Sequence, residues 1–362
     1  MTVLGWSAEQ AWEWYSAQPW LVGCNYIPST AINQLEMWQA DTFDPETIER
    51  ELGWAAERLG FNTARVHLHD LLWEDDQAGF ISRLDQFLTI CQTYDIRPLL
   101  VFFDDCWNKK PKLGRQPVPK PGVHNSGWMQ SPGTAIVTKP SEWGRLEAYV
   151  QGVLNEFGHD ARILGWDLYN EPGNNHLGER SLPLLQAVFA WARAAEPEQP
   201  LTVGSWYASP VPVNTSPNNP MVDNWSFDDP VIENPELTDF SLSSSDILSF
   251  HNYRATDADL REQITRLKGL GRPVICTEYM ARRMSGGSPF ARYLPVFKEE
   301  RVGAFSWGLV SGKTQTIYPW KSLPSHRGNE PEPNPWFHDI FRADGTPFDA
   351  NEVELIHKLT RG

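Results

Sequence analysis

The chain has 362 residues, 41% of them hydrophobic, and no apolar run approaches the roughly 18 residues that span a bilayer, which argues against a membrane protein. The net charge is -15, and no segment concentrates Lys and Arg enough to neutralise a phosphate backbone, which argues against a nucleic-acid partner. The 17 Trp residues exceed ordinary usage and favour a flat, amphipathic ligand such as a sugar, because an exposed indole is costly unless something stacks on it.

Strand-like apolar runs alternate with amphipathic helical segments along the chain. After an N-terminal helix within residues 7–20, the predicted strands are 21–26, 61–68, 97–103, 163–170, 200–205, 246–253, 272–279 and 302–309. Strands that alternate with helices are typical of parallel sheets. Eight repeats predict an α/β fold, a (β/α)₈ TIM barrel formed as a single catalytic domain by residues 1–362, with the N-terminal helix covering its floor.

The helix predicted within residues 44–60 has the clearest end signals. Asp44 suits the N-cap, Pro45 suits the first helical position and Gly60 suits the C-terminal stop. Further helices are predicted within residues 79–95, 141–158, 181–197, 256–271, 288–301 and 351–359.

Three predicted loops are long and rich in Pro, Gly, Asn and Trp: roughly 104–140, 206–245 and 310–335. Each follows a strand, which assigns it to the C-terminal mouth of the barrel, where TIM-barrel enzymes carry their active sites. Loops of this length in a compact domain are usually functional.

Other features narrow the cofactors and the compartment. The cysteines are widely spaced and lack a Cys-x-x-Cys motif, so we expect free buried thiols at Cys24, Cys91, Cys106 and Cys276. The sequence shows neither metal-ligand spacing nor a Gly-rich phosphate motif, so neither a metal nor a nucleotide cofactor is expected. The first residues lack the features of a signal peptide, which predicts a cytoplasmic protein, or a secreted one if a leader precedes them.

Two glutamates fall at the C-terminal ends of predicted strands. Glu171 follows the fourth strand in GWDLYNEPGNN, and Glu278 ends the seventh in VICTEYMAR. Either one alone would equally suit a helix cap or an ion pair, but in a barrel both face one mouth from nearly opposite walls. Such a pair is the minimum equipment for glycoside hydrolysis, which needs one carboxyl group protonated and the other ionised.

Neighbouring strands offer groups that separate the two carboxyl groups in acidity. Arg65 from the second strand and Tyr253 from the sixth are expected to donate to Glu278 and to favour its ionised form. Glu171 has Trp and Tyr around it, which is consistent with a desolvated group that keeps its proton.

The residues at four strand ends resemble the retaining glycoside hydrolases of clan A, most of all family 5. These motifs are Asn170-Glu171-Pro172, His251-x-Tyr253, Thr277-Glu278-Tyr279 and Trp307. The resemblance covers the second to the eighth strand, and it implies action on equatorial leaving groups of mainly β-D-gluco, manno and xylo sugars.

The resemblance also implies roles for individual residues. Glu171 is similar to the acid/base of the family, Glu278 to its nucleophile and Asn170 to the group that binds the sugar 2-hydroxyl. By the same resemblance, the residues around the reacting sugar are Arg65, His251 and Tyr253, with Trp307 as its floor.

One departure concerns the third strand, where the family often has a His and this chain has Asp104 and Asp105. In that place a carboxylate would accept hydrogen bonds from the sugar 3- and 4-hydroxyls. His67 and His69 of the second strand are alternative contacts, although a structural hydrogen bond is the commoner role of such a His.

Several Trp residues in or near the strand-end loops are candidate sugar-stacking platforms: Trp38, Trp107, Trp128, Trp206 and Trp225. Packing under the long loops is an equally good explanation for any one of them.

The predicted function is a retaining glycoside hydrolase that cleaves β-glycosidic bonds in oligosaccharides or glycosides by double displacement. One alternative is a transglycosylase that uses the same glycosyl-enzyme. Another is an inactive carbohydrate-binding barrel, against which the presence of both glutamates argues. No oligomeric state is predicted.

Overall fold

The computed structural model describes residues 5–206, 234–253, 256–282, 288–320 and 332–362. The strands in these ranges are β1 Val22–Asn25, β2 Thr63–His67, β3 Arg97–Asp104, β4 Gly165–Asn170, β5 Leu201–Gly204, β6 Leu248–Asn252, β7 Val274–Tyr279 and β8 Gly303–Trp307. They pair in parallel in the order β5-β4-β3-β2-β1-β8-β7-β6. The His251 N–H donates to the Ser205 carbonyl at 3.1 Å and joins the two ends of this order, so the predicted TIM barrel is confirmed.

The helices of the described residues surround this barrel. They are α1 Ala8–Ser16, α2 Gln34–Trp38, α3 Pro45–Leu59, α4 Asp70–Thr93, α5 Thr134–Val137, α6 Gly144–Phe157, α7 Leu182–Ala194, α8 Pro235–Ser244, α9 Asp257–Lys268, α10 Pro289–Glu299 and α11 Ala350–Arg361. Short 3-10 turns span Pro140–Glu142 and Gly178–Ser181. No helix in the described ranges is both long and apolar enough to cross a membrane.

The helix α8 corrects the prediction of a continuous loop over residues 206–245. Its Ser-rich sequence has a modest intrinsic helix propensity, so the pattern gave little signal. Packing supplies the stability instead, since Leu237 is fully buried and the Phe240 ring lies 5.5 Å from the Phe189 ring of α7.

The predicted ends of α3 are confirmed. The Asp44 side chain accepts a hydrogen bond from the Thr47 N–H at 3.1 Å, and Pro45 takes the first helical position. Gly60 ends the helix at a φ of 68°, in the left-handed region that glycine adopts without a steric penalty.

The N-terminal helix α1 covers the floor of the barrel, as predicted. The Tyr15 hydroxyl donates to the Arg301 carbonyl and accepts from the Gly303 N–H, both at 2.9 Å. Its ring packs in an apolar cluster at the N-terminal ends of the strands, with Leu21, Leu99, Leu164, Ile247, Ile275 and Phe305. The opposite end of the barrel is therefore left for the site.

Asp246, just before β6, is expected to contribute strongly to stability. Its buried carboxylate accepts hydrogen bonds from the Arg193 guanidinium at 2.6 and 2.7 Å and from the N–H groups of Trp6 and Leu201. Asp246→Ala removes the partner of a largely buried cation, so we expect the free energy of unfolding to fall by about 3–5 kcal/mol. Thermal unfolding tests this with exposed Asp239→Ala as control, and an unchanged Tm for Asp246→Ala would contradict it.

Candidate active site

Two carboxyl groups meet at the C-terminal mouth of the barrel. Glu171 is the first residue after β4, Glu278 lies near the end of β7, and only 5% of Glu278 is exposed. An oxygen of Glu171 lies within 4.8 Å of an oxygen of Glu278. His251 of β6 lies beside both, with its Nδ1 2.7 Å from Glu171 Oε1 and 3.5 Å from Glu278 Oε2.

Both oxygens of Glu278 accept hydrogen bonds. Arg65 Nη1 donates to Oε1 and the Tyr253 hydroxyl donates to Oε2, each at 2.8 Å. Both contacts were predicted from the sequence. A cation and a hydroxyl that donate to one carboxylate favour its ionised form.

Arg65 is held by the walls of the barrel. Its guanidinium, fully buried, also donates to Asp167 at 2.9 Å, to Asn25 at 2.9 Å and to Asn170 at 2.7 Å. A glycine on β5 makes room for it, because a Cβ at Gly204 would lie 2.4 Å from Arg65 Nη2. The charge of Asp167 and the neutral acceptors Asn25 and Asn170 together satisfy the buried guanidinium. They also fix the direction of the Arg65 side chain toward the mouth.

Glu171 has neutral neighbours. Its Oε2 accepts from the Asn174 amide at 2.6 Å and from the Cys106 thiol at 3.1 Å. Its backbone φ is 45°, a left-handed conformation that costs a non-glycine residue about 1–3 kcal/mol and is typical of functional positions. The N–H of Glu171 donates to the Gly204 carbonyl at 2.8 Å, which holds this turn.

Burial raises the pKa of both glutamates above the ordinary value. At Glu278 the nearby charge of Glu171 raises the pKa further, while the Arg65 guanidinium and the hydrogen bond from Tyr253 oppose the rise. Because Glu278 has the closer cation, we assign the lower pKa of the pair to it. Burial also lowers the pKa of His251 to about 4, so its imidazole is neutral near pH 7.

Asn170 lies between Arg65 and Asp104, and its Nδ2 donates to Asp104 Oδ1 at 3.0 Å. Asp104 also accepts from the Trp128 indole N–H at 2.7 Å and from the Cys106 N–H at 2.8 Å, and 2% of it is exposed. Burial raises the pKa of Asp104 to about 6. These contacts indicate that Asp104 orients the Asn170 amide and does not itself bind a sugar, although the sequence predicted that contact.

Asp105 does not reach the mouth, which corrects its assignment as a sugar ligand. Its carboxylate is fully buried and accepts from the Tyr169 hydroxyl, the Ser181 hydroxyl and the Gly173 N–H. Asp105 follows the last residue of β3, and its carboxylate contacts the segment after β4, whereas Asp104 contacts Asn170. It anchors the loop that carries Glu171.

Trp38 is also corrected, since it is fully buried in the outer layer. Its indole N–H donates to the His67 carbonyl at 2.9 Å, and its ring packs 5.3 Å from Phe87 of α4. A sugar has no access to it.

The other candidate Trp residues lie nearer the mouth. Trp307 ends β8, and its ring centroid is 5.8 Å from that of Trp128. Trp107 is partly buried beside His124, and Trp206 follows β5 with 40% of its surface exposed. Trp225 lies outside the described residues.

Comparison with known families identifies the chain. A family model described as Cellulase (glycosyl hydrolase family 5) matches residues 27–312. The chain belongs to glycoside hydrolase family 5. It is therefore an O-glycosyl hydrolase, and the enzyme class predicted from the sequence is confirmed. No curated protein matches it in sequence.

Solved structures with a similar fold include a β-mannosidase and β-mannanases. An exo-β-1,4-mannosidase from Opitutaceae bacterium strain TAV5 is 17% identical with a TM-score of 0.60, over 94% of this chain and 59% of that chain. An endo-1,4-β-D-mannanase from Thermotoga petrophila is 13% identical with a TM-score of 0.58, over 94% and 99%. A β-mannanase from the blue mussel Mytilus edulis is 14% identical with a TM-score of 0.52, over 83% and 88%. These likenesses show the shared fold.

The candidate site includes neighbours that the sequence pattern missed. Cys106 and Asn174 contact the Glu171 carboxyl group, and Asp167 and Asn25 hold Arg65. Asp167 and Asn25 lie within strands, and polar residues that face the inside of a barrel could have been assigned to the site from the strand pattern. The loop residues carried no such signal. All four cysteines are free and buried, as predicted.

Among the described residues, the fold also brings together a set of potential metal ligands, which the sequence spacing did not predict. Glu171, His251 and Glu278 each offer an atom within 4.8 Å of the others. The guanidinium of Arg65 donates to Glu278 at 2.8 Å and already supplies the positive charge that this carboxylate pairs with. The set fits acid–base chemistry better than cation binding.

Proposed function

We propose that this family 5 enzyme is a retaining glycoside hydrolase that cleaves β-glycosidic bonds in short oligosaccharides or glycosides. One observation carries the proposal: one carboxylate oxygen of Glu171 lies within 4.8 Å of one carboxylate oxygen of Glu278. Retaining enzymes hold their carboxyl groups about 5–5.5 Å apart, whereas inverting enzymes need about 6.5–9.5 Å to admit a water.

In the first step, a Glu278 oxygen attacks the anomeric carbon while the Glu171 proton passes to the glycosidic oxygen. The bond to the leaving group breaks, and an ester joins the sugar to Glu278. Arg65 and Tyr253 hold the Glu278 carboxylate ionised before attack and stabilise it again when it leaves.

In the second step, Glu171 takes a proton from water, and that water attacks the anomeric carbon of the ester. The sugar departs with its original configuration, and Glu171 is again protonated. Its burial among neutral groups supports this role, since a raised pKa lets a carboxyl group carry a proton near neutral pH.

The first experiment is turnover on nitrophenyl β-D-mannoside, glucoside, xyloside and galactoside and on α-L-arabinofuranoside. The mannoside leads the panel because the proteins of similar fold include an exo-β-1,4-mannosidase and an endo-1,4-β-D-mannanase. We expect at least one substrate to be cleaved, and Glu171→Gln and Glu278→Gln to lose oligosaccharide turnover. Exposed Glu156→Gln on α6 is the control. Full activity of Glu278→Gln would refute the proposal.

The pH dependence of kcat/KM separates the two roles. Activity falls at low pH when Glu278 gains a proton and at high pH when Glu171 loses its proton. Tyr253→Phe removes a donor to the Glu278 carboxylate, so the pKa of Glu278 rises and the acidic limb moves to higher pH.

Cys106→Ala is the matched variant for the basic limb of the pH profile. The thiol donates to Glu171, so its loss raises the pKa of Glu171 and moves the basic limb to higher pH. If Tyr253→Phe moved only the basic limb, the two glutamates would have exchanged roles.

A further inference from the structure

Loops from different strands are joined over one side of the mouth. The loop after β3 reaches the loop after β8, where the Asn125 N–H donates to the Thr314 carbonyl at 2.8 Å. The Gln315 side chain accepts from the Gly122 N–H at 2.9 Å and donates to the Lys120 carbonyl at 2.7 Å. The two loops therefore form a continuous wall.

The loop after β1 completes this wall. The Asn33 amide donates to the Gly127 carbonyl at 2.8 Å, and the Lys313 N–H donates to the Ser29 carbonyl at 3.0 Å. The loops after β1, β3 and β8 are thus tied to one another above the ends of β1, β2 and β8.

A small cavity lies between this wall and the strand ends. Its volume is about 20 Å³, and its lining includes Asn25, His67, Asn125, Trp128, Trp307 and Asp339. This space between the wall and the strand ends therefore has room for about one water molecule and not for a second sugar ring.

The position of the wall relative to Glu171 gives it a functional meaning. Glu171 follows β4, and in the order of the barrel β8 lies opposite β4. On the proposed mechanism, the leaving group extends from the side of Glu171. Any sugar on the other side of the reacting ring would have to extend toward the wall. We propose that the wall forms the closed end of a pocket for one sugar, and that the enzyme removes single sugars from the non-reducing ends of its substrates.

Unpartnered polar groups at the closed end fit this terminal sugar. His67 Nε2 and both amide atoms of Asn125 make no hydrogen bond within the described part of the chain, and these residues are 3% and 1% exposed. Buried polar atoms are costly unless something satisfies them. A hydroxyl on the far side of one sugar ring, in the place of the single water molecule for which the cavity has room, would supply a donor and an acceptor to these groups. His67 thereby offers a hydrogen bond to the sugar. Asp104 does not, because its carboxylate already accepts from Asn170, Trp128 and Cys106.

The test compares nitrophenyl β-monosides with the matching β-1,4-linked biosides. A pocket for one sugar predicts direct release of nitrophenol from the monoside. From the bioside it predicts nitrophenol only after a lag in which the first sugar is lost, or none. Direct release of nitrophenol together with an intact disaccharide would overturn the inference. Because that result still requires glycosidase activity, it would leave the proposed function standing, whereas silence on every substrate would overturn both.

Asn125→Gly tests the closed end itself. The Asn125 φ is 46°, so glycine keeps the backbone conformation while it removes the amide. We expect kcat/KM for the monoside to fall about tenfold, as for loss of a hydrogen bond to a bound hydroxyl. The control is Asp95→Gly, an exposed site with a φ of 55° at the opposite end of the barrel. An unchanged kcat/KM for Asn125→Gly would remove Asn125 from sugar recognition.

Discussion

Glu278→Ala is expected to lower kcat on nitrophenyl glycosides on the order of 10⁴-fold, because on the proposed mechanism it removes the carboxylate that forms the glycosyl ester. The fold should survive, since the Arg65 guanidinium keeps Asp167, Asn25 and Asn170 as acceptors. Circular dichroism and Tm check the folded state, and steady-state kinetics measure the loss.

Azide makes this result specific to the nucleophile. The space left by the Glu278 carboxylate admits a small anion, which can attack the anomeric carbon from the same side. We expect azide to restore turnover of Glu278→Ala and to give a glycosyl azide of inverted configuration. A product of retained configuration would instead identify Glu278 as the acid/base.

Glu171→Ala has the second large expected effect, and the loss should depend on the leaving group. Cleavage of an oligosaccharide should fall about 10²–10⁴-fold, because the departing sugar oxygen needs a proton. Nitrophenolate leaves without one, so the first step on a nitrophenyl glycoside should persist. The second step still lacks its base, so a burst of nitrophenol should precede slow turnover.

Asn174→Ala is the matched control for Glu171→Ala. It removes a neighbour of the Glu171 carboxyl group, at 2.6 Å, and keeps the carboxyl group itself. We expect no burst with Asn174→Ala and a small loss on both substrates. Equal losses on oligosaccharide and nitrophenyl glycoside for Glu171→Ala would contradict the acid/base assignment.

The barrel and the two glutamates were predictable because the fold constrains them. Parallel strands direct all their C-terminal ends to one mouth, so a residue at a strand end can be assigned to the site from the strand pattern alone. This reasoning brought Glu171, Glu278, Arg65 and Tyr253 together, and the structure has them in contact or nearly so.

The wrong assignments of Asp105 and Trp38 arose because the direction of a side chain mattered more than its position in the sequence. Asp104 and Asp105 are adjacent, yet one orients Asn170 at the mouth and the other anchors the loop after β4. Trp38 lies on the short helix α2, which turns the indole outward against α4. A sequence pattern gives the place of a loop along the chain but not the side to which it carries its indoles.

The wall over β1, β2 and β8 also could not be predicted from the sequence. Its hydrogen bonds join residues such as Asn125 and Thr314 through backbone groups, which every residue has. The long loops could be predicted at the mouth from their length, but which of them are tied together follows from their paths in space.

Trapping the glycosyl-enzyme tests the central claim most directly. A 2-deoxy-2-fluoro glycoside with a good leaving group, made from the sugar that the nitrophenyl panel identifies, should slow the second step more than the first. Mass spectrometry of peptides from the inactivated enzyme should then find one fluorosugar on Glu278. Attachment of the fluorosugar to Glu171, or release of product with inverted configuration and no adduct, would contradict double displacement through Glu278.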